Sequence, residues 1–468
     1  MGTRTETDSL GERQVPKDAY YGVQTVRAVE NFPVSGLKAP PVFVYAYVMV
    51  KRAAATANMQ VGWLDQKVGT AIIQACDEVL EGKLLDQFVV DVFQAGAGTS
   101  FNMNVNEVLC NRALELLGKQ KGDYTTLSPN DHVNMAQSTN DTFPTALHVA
   151  ALLALEPLGV ALEDLSTAFE QLSCNYADAV KSGRTHLQDA LPLTVGQELG
   201  AYASAINKAQ LRLQGRSRLL LEVALGGTAV GTGASAHVDF AELAVAELSR
   251  LTGFPLNVAP NLFEALQSRS AVAAVSSALK ELSLELIRVA NDLRLLSSGP
   301  TTGLAEISLP DVQPGSSIMP GKVNPVMAEC LDMVAYQVVG NDLAVSMAVQ
   351  AGQLELNVMM PLMMHNLLQS IQLLSSYLPV FTKKCVEGIT VDTKRCAGYV
   401  ALNPSLAVYL SPCIGYLDAA KIATQALQEK RSVKEIALEK KLLTRKQAEE
   451  VFKKDSLLGK KNRRDNPC

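Results

Sequence analysis

Between Gly315 and Pro325 the chain reads Gly-Ser-Ser-Ile-Met-Pro-Gly-Lys-Val-Asn-Pro, which crowds two hydroxyls, an ammonium and a carboxamide into one short run. Glycine lets the backbone adopt positive φ and approach a ligand, while Pro314, Pro320 and Pro325 limit how far the loop can wander. Lys322 and Asn324 suit a carboxylate, one by charge and the other by hydrogen bonding. A serine is then left to act as nucleophile or base, provided its proton can be removed.

Three further polar islands interrupt otherwise apolar sequence. Gly96-Ala97-Gly98-Thr99-Ser100 is followed by Asn102, Asn104 and Asn106; this is either a loop entering a capped helix or part of a site. Gln137-Ser138-Thr139-Asn140-Asp141 precedes a long apolar stretch, and hydroxyls with free N–H groups at a helix start suit both capping and anion binding. In Gly183-Arg184-Thr185-His186-Leu187-Gln188-Asp189 the histidine has polar neighbours, unlike a core histidine on an apolar face.

The elements that position these islands are helical. From Val272 the apolar positions Val275, Leu279, Leu282, Leu286, Val289, Leu293 and Leu296 follow an unbroken 3,4 spacing, the seam of a bundle. Leu147 to Val180, Gly196 to Leu225 and Val326 to Val349 also read as long helices, and shorter ones are expected near Ala46–Ala57 and Val68–Leu80. Leu219-Leu220-Leu221 and Leu295-Leu296 put apolar side chains on more than one face, which points to helices buried in an oligomer. Ser432 to Val451 reads as two short helices divided at Thr444, a candidate N-cap. The expected domains are 1–138, an α-rich N-terminal region; 139–389, a long-helix bundle carrying the loop; and 390–468, a small helical C-terminal domain.

Composition narrows the function. Of 468 residues 48% are apolar and 19% charged, so a large core is available; a net charge of −5 and 5% aromatics argue against a nucleic-acid partner. The basic residues Lys460, Lys461, Arg463 and Arg464 read as a solvated tail. Met1 to Asp18 is polar without an apolar core, and the closest approach to a membrane span is the short Val42–Val50 run, so a cytoplasmic protein with no membrane partner is expected. The eight cysteines lack a CxxC pair and read as reduced, mostly buried thiols. The five histidines are dispersed without an HExxH pattern, so neither a catalytic metal nor another cofactor is expected.

The Gly315–Pro325 run resembles, almost letter for letter, the signature of the aspartase/fumarase superfamily. Gly98-Thr99-Ser100, Ser138-Thr139-Asn140, Thr185-His186, Tyr20-Tyr21-Gly22, Glu30-Asn31-Phe32 and Asn291-Asp292-Leu293-Arg294 extend the resemblance over nearly the whole chain. It implies a mainly α, three-domain fold whose long helices build a twenty-helix core in a homotetramer, with the site drawn from three subunits. It also implies β-elimination through a dianionic aci-carboxylate that prealigned donors stabilise. By resemblance Ser316 is the base, with Thr99, Ser138, Thr139 and Ser317 supplying donors. Lys322, Asn324 and Thr185 hold the other carboxylate, His186 and Asn140 face the leaving group, and Glu329 pairs with the histidine.

Within the superfamily, Gly98-Thr99-Ser100, Ser138-Thr139-Asn140 and Tyr20-Tyr21-Gly22 look like the aspartase branch, implying L-aspartate and fumarate as substrate and product. Ser128-Pro129-Asn130-Asp131 also lacks the histidine that fumarases tend to carry at a second anion site. Gly226-Gly227-Thr228, Phe263-Glu264-Ala265-Leu266 and His365-Asn366 look more like fumarases, which keeps L-malate hydration, and an inactive structural homologue, as alternatives. Thr301 and Met360 depart from both branches, at positions usually holding arginine and, in aspartases, glutamate.

Overall fold

The computed structural model describes residues 2–459; Lys460, Lys461, Arg463, Arg464 and Cys468 lie outside them. The fold is mainly α, as expected, but it opens on strands: β1 (Thr3–Asp8) and β2 (Gly11–Pro16) form an antiparallel hairpin. The Asp8 carboxylate closes its turn by accepting Leu10 N–H at 2.9 Å, a local side-chain bond of the kind that lets polar sequence turn back on itself. Next come α1 (Val23–Asn31), α2 (Pro41–Gln60), which uses proline in its first turn, and α3 (Gln66–Leu80), capped by Asp65. They are followed by α4 (Thr99–Leu116), α5 (Thr139–Asn175), the hairpin β3 (Val180–Thr185) and β4 (Gln188–Thr194), and α6 (Val195–Ser217). Then α7 (Phe240–Thr252), α8 (Leu262–Gln267), α9 (Ser270–Leu296), α10 (Val326–Gln350) and α11 (Met360–Lys384) lead to short C-terminal helices.

All eight residues of the 3,4 seam on α9 are buried, so periodicity alone located that helix and its inward face. The two short C-terminal helices are also where expected, Val433–Glu439 and Arg445–Val451, each opened by a capping box, from Ser432 and Thr444 respectively. By contrast α5 starts well before Leu147 and ends before Val180, and α6 stops at Ser217 rather than running to Leu225. Within the single chain Leu220 is buried and Leu219 is 48% exposed, as a side chain reserved for a subunit contact would be.

By length and composition α5 passes for a membrane span, contrary to the expectation that no run comes close; most of its apolar stretch is buried inside the protein, as a core helix would be. Cys76, Cys110, Cys385 and Cys396 are buried free thiols, as expected, whereas Cys413 is exposed and Cys174 is disulfide-bonded.

The chain divides into two compact units. The first comprises Met1–Leu158, Leu211–Glu281 and Tyr336–Ser375; the second comprises Gly159–Gln210, Leu282–Ala335 and Ser376–Cys468. In the first unit an aromatic cluster lies beneath the starts of α4 and α5: Phe43 sits 5.1 Å from Phe101 and 4.9 Å from Phe143, with Tyr47 edge-on to all three. Fully burying each such ring contributes roughly 1.5–3 kcal/mol, so both helix starts are firmly held. The start of α1 is held by a carboxylate instead. Glu107 accepts N–H bonds from Gly22, Gln24 and Thr25 and the Thr25 hydroxyl. Gly22 must be glycine, since a Cβ there would come within 2.5 Å of Glu6 and 2.9 Å of Glu107.

In the second unit the C-terminal helices pack around Leu410, Ile422, Ile436 and Ala437. Asn403 ties them to the β3–β4 hairpin by donating to Ser182 Oγ at 3.1 Å and Ala190 O at 2.7 Å.

Candidate active site

In the first unit, three consecutive positive φ angles at Gly96, Ala97 and Gly98 turn the chain into α4. Gly98 is obligatory twice over: its φ is +94°, and a Cβ would lie 2.1 Å from the Phe143 ring. Thr99 is the first helical residue; its hydroxyl donates to Gly96 O at 2.6 Å, and its side chain borders a cavity of about 600 Å³. The same cavity is bordered by Arg27, Ser128 and Asn130. Asp8 holds Arg27 by two bonds of 2.8 and 2.9 Å, and this pairing lowers the Asp8 pKa below its ordinary value. The asparagines after Thr99 are structural. Asn102 and Asn106 both donate to Asn134 Oδ1, and Asn104 bonds the backbone of Gln87 and Val89.

Ser138, Thr139 and Asn140 open α5. The Ser138 hydroxyl accepts Asn140 N–H at 3.2 Å, while Asp141 accepts Ser138 N–H at 3.0 Å. Asp141 is completely buried, and its other oxygen takes the N–H groups of Gly226 and Thr228 at 3.1 and 2.9 Å. Gly226-Gly227-Thr228 is thus framework, locked to the serine-bearing turn. Asn140 donates to Ala229 O at 2.8 Å. Below this turn the buried Lys51 ammonium donates to Asn134 and Gln137, each at 3.0 Å. Burial raises the Asp141 pKa to about 7 and lowers that of Lys51 to about 7, and the mutual attraction of the two groups opposes both shifts. Neither residue belongs to the set of site residues expected from the sequence. A charged residue inside an apolar helix, as Lys51 is in Val48-Met49-Val50-Lys51, was the available signal.

In the second unit, Thr185 and His186 sit at the tip of the β3–β4 hairpin, where Thr185 pairs with Gln188 across a two-residue turn. Both turn residues, His186 and Leu187, have positive φ, 56° and 57°. This is the geometry that normally selects Asn-Gly or Gly. Placing His there leaves it exposed on a sparsely populated backbone conformation, a pattern associated with function. Strand β3 is fixed by a buried ion cluster that reaches from Lys181 near its start to Arg184 beside the turn. Glu306, fully buried, receives two bonds from Arg184 at 2.9 and 3.0 Å and lies 2.9 Å from Lys181, which also donates to Glu198 at 2.6 Å.

The signature loop closes on itself: Gly315 N–H donates to Lys322 O at 2.9 Å, and the Asn324 amide donates to Gly315 O. A Cβ on Gly315 would meet Lys322 O at 2.4 Å, so the closure requires glycine. Lys322 Nζ donates to Asn324 Oδ1 at 2.7 Å, which joins the two intended carboxylate ligands. Ser316 Oγ accepts N–H bonds from Met319 at 2.9 Å and Ile318 at 3.2 Å. Two amides aimed at one hydroxyl oxygen favour its deprotonated form over its neutral one. Ser317, Ile318 and Met319 are exposed, Ile318 at 83%. Glu329 lies in the first turn of α10, its N–H bonded to Pro325 O at 3.1 Å, and forms no ion pair with His186 within the described residues.

Thr99, Ser138, Thr139 and Asn140 thus belong to the first unit, and Thr185, His186, Ser316, Ser317, Lys322, Asn324 and Glu329 to the second; within each unit no hydrogen bond or ion pair among the described residues joins Thr99 to the Ser138 turn or the hairpin tip to the loop. Of the two departures, Met360 is fully buried at the start of α11, where an apolar side chain fits, and Thr301 is exposed.

Residues 11–340 match the family model described as Lyase, and residues 406–459 match that of the fumarase C C-terminus. The chain is 48% identical to an aspartate ammonia-lyase of Bacillus subtilis, with 96% of this chain and 94% of that protein covered. Identity is 46% to proteins of the same description from Helicobacter pylori (97% and 98% covered) and Escherichia coli (97% and 96%). Among solved structures, a Brucella melitensis protein described as fumarate lyase:delta crystallin bound to cobalt superposes with TM-score 0.94 at 49% identity, covering 96% of this chain and 98% of that one. A class II fumarase from Schistosoma mansoni gives the same TM-score at 38% identity, covering 97% and 98%. Backbone, signature loop and sequence agree: the chain belongs to the aspartase/fumarase superfamily of lyases.

Proposed function

We propose that the protein is an aspartate ammonia-lyase, converting L-aspartate reversibly into fumarate and ammonia. The observation that carries this reading is the 46–48% identity, over nearly the full length, to aspartate ammonia-lyases of three genera. By contrast, the class II fumarase is 38% identical. In this mechanism Ser316 Oγ, deprotonated, takes the C3 proton of aspartate, and the electron pair moves into the adjacent carboxylate. Thr99, Ser138, Thr139 and Ser317 stabilise the resulting aci-carboxylate. Its collapse breaks the C2–N bond, and the nitrogen leaves with the bonding pair as ammonia past Asn140 and His186, the histidine that the resemblance pairs with Glu329. Lys322, Asn324 and Thr185 hold the other carboxylate.

The reading requires a homotetramer in the cytoplasm, with residues 1–138, 139–389 and 390–468 as its three domains and each site drawn from three subunits. Exposed apolar residues Tyr336, Leu343 and Met347 on one face of α10 support an assembled bundle. Leu343→Glu is expected to split the assembly, visible by analytical ultracentrifugation, and to abolish turnover with it; an intact tetramer would remove α10 from the interface.

The activity test is direct. Purified protein incubated separately with L-aspartate and L-malate is expected to release fumarate, followed by ultraviolet absorbance, from aspartate much faster than from malate. Fumarate from malate alone would overturn the assignment.

A further inference from the structure

Arg269 is only 2% exposed, yet its side chain makes no hydrogen bond or ion pair within the described residues, and its Nε is sealed from solvent without an acceptor. Its carbonyl accepts Ala273 N–H at 3.1 Å, making it the N-cap of the 27-residue helix α9. A cation there faces the positive end of the helix. Burial without a hydrogen-bonding partner and an adverse helix field both penalise the guanidinium, and a bound anion would relieve both.

The space for one is present. Arg269 borders a cavity of about 130 Å³ with His148, Ser268, Ser270 and Ala271. That is well below the several hundred Å³ of an organic-ligand pocket but large enough for several water-sized atoms. His148 Nδ1 is tied to Glu222 O at 3.0 Å, and burial together with the Arg269 charge pushes its pKa down to about 4, so it is neutral near pH 7. Glu222 and Glu264 also border the cavity, both exposed; Glu264 attracts the guanidinium without forming an ion pair, and burial still lowers the Arg269 pKa to about 10. None of the residues assigned to catalysis reaches it.

We propose that this cavity binds a small inorganic oxyanion of the phosphate or sulfate class, held by the Arg269 guanidinium, the Ser268 hydroxyl and the opening turn of α9. The probe is inorganic phosphate, titrated at constant ionic strength into the full-length protein with fumarate present to fill the dicarboxylate site. A saturable rise in melting temperature is expected, and Arg269→Met should remove it while leaving the phosphate-free melting temperature unchanged or higher. An equal rise in both proteins, or none in the parent, would overturn the proposal. Should the variant not fold, hydrogen exchange on the parent decides: phosphate should slow exchange at Ser270–Ala273, and unchanged exchange there counts against the site. A crystal structure showing a carboxylate of a second copy on Arg269 would overturn it equally.

Discussion

Ser316→Ala is expected to lower kcat for fumarate release from L-aspartate by about 10²–10⁴-fold, the usual contribution of a positioned general base. KM should stay within a few-fold, because Lys322 and Asn324 remain joined to each other and to Gly315 after the change. The hydroxyl's structural worth is small. The Ile318 and Met319 amides that it accepts lie in an exposed segment, where water replaces the lost acceptor at little cost. Circular dichroism and oligomeric state should therefore be unchanged, which separates loss of a base from loss of a fold. Two amides converging on Oγ fill the two acceptor positions of a neutral hydroxyl and would also lower the cost of its alkoxide, so the geometry is compatible with the role that the resemblance gives Ser316. Retention of more than about a tenth of the parent kcat would remove Ser316 as the base.

The parts of the fold legible in the sequence were those governed by a single period. The α9 seam repeats every three or four residues, and each of its members is buried. Helix ends and strands were harder because side-chain contacts distant in sequence decide them. The start of α5 lies before Pro144, where a proline ordinarily marks a boundary. There the turn is held by Ser138 and Asp141 and by the Thr142 and Thr145 hydroxyls bonding back to Ser138 O and Asp141 O. The β3–β4 hairpin was missed because its turn is His186-Leu187, with no Gly, Asn or Asp to signal it. The site's polar islands were visible because each is a run of adjacent residues. Its supports were not: Arg184 and Glu306 are 122 residues apart, and nothing local in either segment announces a partner.

That last pair leads to the largest expected effect on stability. Replacing Glu306 with glutamine should destabilise the folded protein by about 3–5 kcal/mol, the typical cost of removing one partner from a buried ion cluster. Glu306 is wholly buried and neutralises both Arg184 and Lys181; without its charge, Lys181 keeps only Glu198, itself a carboxylate whose pKa burial raises. The loss should show as a lower urea midpoint, compared at fixed protein concentration because assembly adds to apparent stability. Since an apolar substitute for a whole buried pair is often neutral, Lys181→Met should cost less in the Glu306→Gln background than alone, a coupling that a double-mutant cycle measures. Function should follow through position. The cluster anchors β3 at Lys181 and at Arg184, next to the turn that carries Thr185 and His186, so kcat/KM for aspartate should fall even at temperatures where the variant is fully folded. Additive effects of the two substitutions would mean that the charges act independently. Unchanged kcat/KM in folded Glu306→Gln would mean that the tip is held by its own turn, leaving the buried charges only a stabilising role.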